Sequence, residues 1–163
     1  MAMEFPVIAK LLEGRFSGAV RGTVTGKGDP WIEVEARALP EILAFLKEEE
    51  GLRFDLLLMV SGVDRPSAEG GGAIEVVYHL VSTAGGGPLV LKTSLPRENP
   101  VCPSVSGVHP AALWHERETY DMLGVEFSGH PDLRRILCPE DWVGHPLRKD
   151  YEYPEEYGGI SAK

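Results

Sequence analysis

The sequence predicts an α+β fold: a two-layer arrangement of helices packed on a mixed β-sheet, followed by a helix and an extended, irregular C-terminal strap. Three observations predict it. Apolar residues recur at helical spacing in two short windows near the start, and the segments beside them alternate with period two. Beyond Pro96 both periods fade, apart from one helical stretch. Nineteen glycines and thirteen prolines in 163 residues foretell an unusual share of turns.

Phe5, Ile8, Leu11 and Leu12 fall on one helical face over residues 5–13, with Gly14 as the stop. Residues 19–24 and 31–36 read as strands joined by Gly26-Lys27-Gly28-Asp29-Pro30. In the second, Ile32, Val34 and Ala36 alternate with Glu33, Glu35 and Arg37. Pro40 opens a helix to about Glu50 that buries Leu39, Ile42, Leu43 and Leu46, and Gly51 closes it. Residues 54–60, the most apolar run, predict a central strand with both faces covered. Residues 74–82 and 89–95 predict a hairpin around Gly85-Gly86-Gly87-Pro88. This glycine triplet and Gly70-Gly71-Gly72 are loop punctuation. Neither is followed by the Lys-Ser/Thr of a phosphate loop or the spaced third glycine of a dinucleotide site.

Pro96, Pro100, Pro103 and Pro110 exclude regular structure up to a helix from Ala111 to Leu123, which Gly124 stops. From Gly124 onward no period survives, yet Phe127, Leu133, Leu137, Trp142, Leu147 and Tyr151 are side chains that seek burial. The expected organisation is a body over 1–110 and a helix with a docking segment over 111–163, within one domain unit.

The formal net charge of −9 repels phosphate backbones and anionic lipid, which argues against nucleic acid or direct lipid as a partner. The longest apolar run, Leu56 to Val60, is far short of the roughly 20 residues of a membrane span. The opening MAMEFPVIAKLLEG reads as neither a secretory signal nor an Arg-rich presequence. Cys102 and Cys138 read as free thiols of a reducing compartment.

Self-contained chemistry is hard to find. His115-Glu116 could begin a zinc-protease helix, but the second ligand four residues on would be Thr119. His130, Asp132, Cys138 and His145 match no standard metal spacing, and two cysteines cannot ligate an iron–sulfur cluster. Arg134 and Arg135 could lower the pKa of Cys138, but no nucleophile elbow surrounds it. Glu116 and Glu118 are two apart and face different ways on a helix. Arg117 and Asp121, four apart, could pair on the helix surface. Arg134-Arg135 and Arg148-Lys149-Asp150, interleaved with Trp114, Tyr120, Trp142 and Tyr151, have the makeup of a docking surface.

Three stretches then acquire a specific meaning. Residues 116–127 (ERETYDMLGVEF), 129–137 (GHPDLRRIL) and 140–151 (EDWVGHPLRKDY), after the lead-in PSVSGV over 103–108, closely resemble a signature. It is that of the thirty-kilodalton subunit family of respiratory complex I, the NADH–quinone oxidoreductase. The resemblance implies a cofactor-free subunit of the peripheral arm. NADH, flavin, iron–sulfur clusters and quinone would be bound by partner subunits. Its expected partners are the large hydrogenase-like subunit that forms the quinone pocket, the cluster-bearing subunit beside it, and other peripheral-arm subunits. The interface would use Trp114, Glu116, Arg117, Glu118, Tyr120, Asp121, His130, Asp132, Arg134, Arg135, Asp141, Trp142, His145, Arg148, Lys149, Asp150 and Tyr151. The expected location is the cytoplasmic side of the bacterial plasma membrane, reached through partners. Related subunits serve membrane-bound hydrogenases and dehydrogenases with other donors, which is the alternative within the same class. The alternative of another class is a free-standing metal-dependent hydrolase using His115, Glu116, His130 and Cys138.

Overall fold

A computed structural model describes residues 4–26, 28–85 and 87–161. Helix α1 spans Phe5–Arg15 with Pro6 in its first turn and buries Ile8, Ala9 and Leu12. It runs through Gly14, the expected stop. Phe16 meets Phe45 edge-on at 5.7 Å and the Arg15 guanidinium lies 4.6 Å from the same ring, contacts that hold the last turn in place.

Strand β1 (Val20–Val24) pairs antiparallel with β2 (Trp31–Val34) across a turn whose Lys27 lies outside the described residues. β2 stops two residues earlier than the alternation suggests. Ala36–Ala38 instead close a 3-10 turn that leads straight into α2, Leu39–Glu48. α2 buries the four predicted residues, Leu39, Ile42, Leu43 and Leu46, all at 0% exposure.

Strands β3 (Leu56–Pro66), β4 (Gly72–Val81) and β5 (Pro88–Pro96) form an antiparallel meander, and β2 lies parallel to β5. The order β1-β2-β5-β4-β3 makes the sheet mixed, as expected, and the β4–β5 hairpin is the predicted one. The place of β3 corrects the sequence reading: the most apolar run forms an edge strand, not a central one. Leu57 and Val60 enter the core, while Leu56, Leu58 and Met59 stay 43%, 51% and 41% exposed around an irregularity between Leu57 and Met59. β3 also continues to Pro66, because Ser61–Pro66 pair with Gly72–Val77 of β4 despite their polar sequence.

Ile74, Val76, Tyr78 and Leu80 of β4 and Leu89, Leu91 and Leu95 of β5 are buried with side chains of all three helices in one apolar cluster. Each such residue contributes roughly 1.5–3 kcal/mol of transfer free energy. Helix α3, Ala112–Leu123, crosses this layer at Gly62 of β3. A Cβ at Gly62 would intrude on Leu123 Cδ1 and stand 3.0 Å from Thr119 Cγ2, so the bare backbone is what admits the helix.

The proline-rich lead-in is less irregular than expected. β6 (Val101–Pro103) pairs in parallel with β7 (Glu126–Ser128), which brings Cys102 and Phe127 into the core. The flanking bonds Glu126 N–H to Pro100 O (2.8 Å) and Ser104 N–H to Ser128 O (2.8 Å) extend the ladder, so Pro100 and Pro103 bracket it without having to donate to it. β8 (Glu156–Tyr157) and β9 (Ile160–Ser161) form a small hairpin over Gly158-Gly159, both at positive φ.

Candidate partner-docking site

Helix α3 ends at Gly124, whose φ of +76° closes the last turn. An α-helix leaves its last four carbonyls without partners of its own. Here every one is met. Tyr120 O accepts the Gly124 N–H at 2.8 Å, and Asp121 O accepts from His145 Nδ1 at 3.0 Å. Met122 O accepts the Leu147 N–H at 3.0 Å, and Leu123 O accepts Arg148 Nε at 2.7 Å. Three of the four partners come from residues 145–148 of the strap. A cation at a helix C-terminus is also favoured by the helix dipole, which explains an arginine at position 148. Gly124 is required twice: a Cβ would strike the His145 ring at 2.6 Å, and the backbone is left-handed.

One turn back, the Asp121 carboxylate is fully buried and organises the middle of the strap. Its Oδ2 accepts the N–H groups of Ile136, Leu137 and Cys138 at 3.0, 2.7 and 2.8 Å, and its Oδ1 takes Arg135 Nη1 at 2.6 Å. Burial works against this charge. The N–H donors of Cys138, Ile136 and Leu137 together with Arg135 outweigh it, so the carboxyl titrates below its ordinary value. Arg135 also donates to Gly144 O at 2.9 Å. Arg117 points at the same loop, giving Nε to Arg134 O (3.1 Å) and Nη2 to Arg135 O (2.9 Å). Arg117 and Asp121 therefore do not pair with each other, contrary to the surface pair that their spacing suggested. Each is drawn inward by the strap.

Glu116, also fully buried, accepts Ser104 Oγ at 2.6 Å and the Val105 N–H at 2.8 Å. Among the described residues it forms no ion pair, and burial raises its pKa against the pull of Ser104, the Val105 N–H and nearby His130. His130 is fixed by two neighbours: Nε2 donates to Leu113 O at 3.1 Å while Nδ1 accepts the Asp132 N–H at 3.0 Å. Cys138 departs from expectation. Burial and Asp121 raise its pKa, against the smaller opposing pull of Arg135, so it is not an activated thiolate. Both cysteines are free.

A second anchor ties the strap to the sheet. Asp64 of β3, its side chain fully buried, binds Arg97 at 2.6 Å (Nε to Oδ1) and 2.9 Å (Nη2 to Oδ2), and also accepts the Lys149 N–H at 2.8 Å. Arg97 then reaches Asp150 at 2.6 Å. Farther on, Tyr151 packs on Tyr153 and donates to Val143 O, and Trp142 packs on Tyr157.

The residues expected at an interface thus divide. Glu116, Arg117 and Asp121 are buried, and Tyr120, His130, Arg135, Trp142, His145, Arg148 and Tyr151 are half-buried. Trp114, Glu118, Asp132, Arg134, Asp141, Lys149 and Asp150 remain exposed. His115, Glu116, His130 and Cys138, the hydrolase candidates, are not gathered around one point. Among the described residues no group of three or more His, Cys, Asp or Glu side chains is placed to hold a metal ion.

The family profile described as respiratory-chain NADH dehydrogenase, 30 Kd subunit, matches residues 32–157. The chain belongs to that family. Two curated relatives, both named for the same component of NADH-quinone oxidoreductase, illustrate the closeness. The one from Chlorobium phaeobacteroides is 45% identical over 91% of this chain and 89% of its own. The one from Roseiflexus sp. (strain RS-1) is 41% identical over 92% of this chain and 85% of its own. Among solved structures, a trypsin-resistant fragment (1–134) of Nqo5 has a TM-score of 0.60 at 31% identity, over 76% of this chain and 96% of that fragment. A chain of the membrane-bound sulfane sulfur reductase, an archaeal respiratory membrane complex, has a TM-score of 0.71 at 30% identity. That match covers 90% of this chain and 84% of the other. Among the described residues no helix is long and apolar enough to cross a membrane.

Proposed function

We propose that this chain is a cofactor-free scaffold subunit in the peripheral arm of a complex I-type NADH:quinone oxidoreductase. In this reading it docks on the large quinone-site subunit, next to the cluster-bearing subunit, on the cytoplasmic side of a bacterial plasma membrane. It supports electron transfer from NADH to quinone, and its coupling to proton translocation, by bracing the partner that performs the chemistry.

The observation that carries this reading is how the signature residues are used. The buried charges are spent on shaping the strap, while large apolar side chains are held outward on α3 and the strap. Trp114, Leu137, Val143, Leu147, Tyr153 and Ile160 are 62%, 62%, 85%, 59%, 69% and 76% exposed. A segment that invests several charge-assisted bonds in a fixed shape and leaves its apolar side chains in water is built to be covered. The resemblance to a chain of a sulfane sulfur reductase, a complex named for a different electron acceptor, favours one variant of the reading, in which the same scaffold serves a membrane complex with redox partners other than NADH and quinone.

Affinity purification of the tagged chain from detergent-solubilised membranes tests both. Co-purification of the large and cluster-bearing subunits with NADH:quinone activity supports the main reading. The same subunits without NADH oxidation favour the variant. Recovery of the chain alone refutes both.

A further inference from the structure

The sheet has two edges, and they are finished differently. β1, the short edge, carries Arg21 in an ion pair with Glu35 and Thr23 bonded to Glu13, polar devices of the kind that discourage strand addition. β3, the other edge, is an eleven-residue strand with Leu58 and Met59 half exposed. Among the described residues no strand or loop pairs with its outer backbone between Met59 and Val63. Beyond it the strand is guarded as β1 is, by the Arg65–Glu75 ion pair and a terminal Pro66, so the open template for another chain is the short stretch Met59–Val63.

A cleft of about 290 Å³ lies along this edge, between Met59–Gly62 and the α3 residues Glu118 and Met122, with Leu147 of the strap at its side. Val60, Met122 and Leu123 line it with apolar side chains, and Ser61, His115 and Thr119 add polar ones. Glu118 is exposed and, among the described residues, forms no ion pair. The chain's net charge of −9 adds to the negative potential around it.

We propose that the outer edge of β3 at Met59–Val63 accepts an extended segment of a neighbouring subunit as an additional strand. The segment sets apolar side chains against Leu58, Met59 and Met122 and a lysine or arginine against Glu118. The proposal deepens the docking reading above and rests on it. Main-chain hydrogen bonds supply affinity in this mode, and the alternate side chains and the basic contact supply register.

Residue-resolved hydrogen exchange tests it, comparing the isolated full chain with the same chain in the purified complex. Strand addition protects alternate amides of Met59–Val63, those that point outward, by about tenfold or more. Exchange at those amides unchanged between the two states overturns the proposal, even where the complex is intact. Protection of all of them in the isolated chain together with dimer formation also overturns it, because the occupant is then a second copy. In the complex, Glu118→Lys should lower recovery of the partner by about tenfold through like-charge repulsion, and Glu118→Gln by less. Equal recovery with Glu118→Lys refutes the basic contact. Loss of the chain from the complex in the unaltered protein would instead refute the function proposed above, so the two failures are distinct.

Discussion

Asp121→Asn isolates the contact that shapes the strap. In the native protein one carboxylate oxygen serves three backbone N–H groups and the other binds Arg135 at 2.6 Å. An asparagine can keep its carbonyl oxygen toward Ile136, Leu137 and Cys138, but its NH2 then faces Arg135, donor against donor. The loss is one charge-assisted bond, about 1.5–3 kcal/mol, and it leaves the Arg135 charge with only the backbone carbonyls of Gly144 and residue 121 as acceptors. Asp121→Ala removes both acceptor oxygens and all four bonds, and reaches the roughly 3–5 kcal/mol of a broken buried pair. Residues 134–148 can lift away while the five-stranded sheet stays formed, so the effect should be local first. Amides of Ile136, Leu137 and Cys138 should exchange faster, with those of β4 and β5 unchanged. Urea unfolding followed by Trp142 fluorescence should shift to a lower midpoint before the sheet melts in circular dichroism. Native exchange rates at these three amides in Asp121→Asn would refute the argument.

Acid should loosen the strap by the same contacts. Asp64, held by Arg97, and Asp121 and Asp150 all titrate below their ordinary value, so their contribution is present above the unfolded value of about 3.9 and is lost as pH falls through the folded one. The protection of the strap amides, taken relative to the intrinsic exchange rate at each pH, should fall below about pH 4. His109 acts in a higher window: burial, then Lys47, lowers its pKa to about 4. Because the unfolded histidine takes up a proton first, stability should fall between about pH 6.5 and pH 4, by on the order of 3 kcal/mol, and His109→Phe should flatten that slope in urea titrations. Gly62→Ala should cost about 1–3 kcal/mol by pushing α3 off β3. Leu123→Ala in the same chain should return part of that cost, whereas additive losses in thermal denaturation would refute the packing argument.

How far the sequence discloses this structure depends on whether each feature is local. α2, the β4–β5 hairpin and α3 are legible because their patterns sit within a single element: Leu39, Ile42, Leu43 and Leu46 on one face, Ile74 to Leu80 in alternation, Gly124 at a helix end. The edge position of β3 is not local. It depends on β2 inserting beside β5, and an apolar run reads the same at the centre of a sheet as at an open rim. The Asp121 cradle is further out of reach. Arg117 and Asp121 have the spacing of an ordinary surface pair, and their true partners lie 14 to 18 residues onward in a segment with no period. One signal was present. A helix stopped by glycine, with histidine and arginine following in a proline-punctuated segment, is what a C-terminus capped by the returning chain requires.

That capping decides how docking should be tested. Arg148 and Lys149 look in sequence like charges offered to a partner, and reversing both to glutamate would be the obvious experiment. In the structure the Arg148 guanidinium is occupied with Leu123 O, so Arg148→Glu would set a carboxylate against the negative end of α3. The chain would leave its complex because the strap had come away, and the result would say nothing of the interface. Among the described residues the side chains of Val143, 85% exposed, and Trp114, 62% exposed, have no such internal duty beyond the Arg117 guanidinium 5.4 Å from the Trp114 ring, since Tyr151 binds the Val143 backbone O and not its side chain. Val143→Asp should therefore leave the unfolding free energy from urea titration within about 0.5 kcal/mol of native. If the strap faces a partner there, the same substitution should lower co-purification with the large subunit by about tenfold or more, the effect of burying an unpaired charge at a docked surface. Native recovery with Val143→Asp and with Trp114→Ala would place the contact elsewhere on the chain.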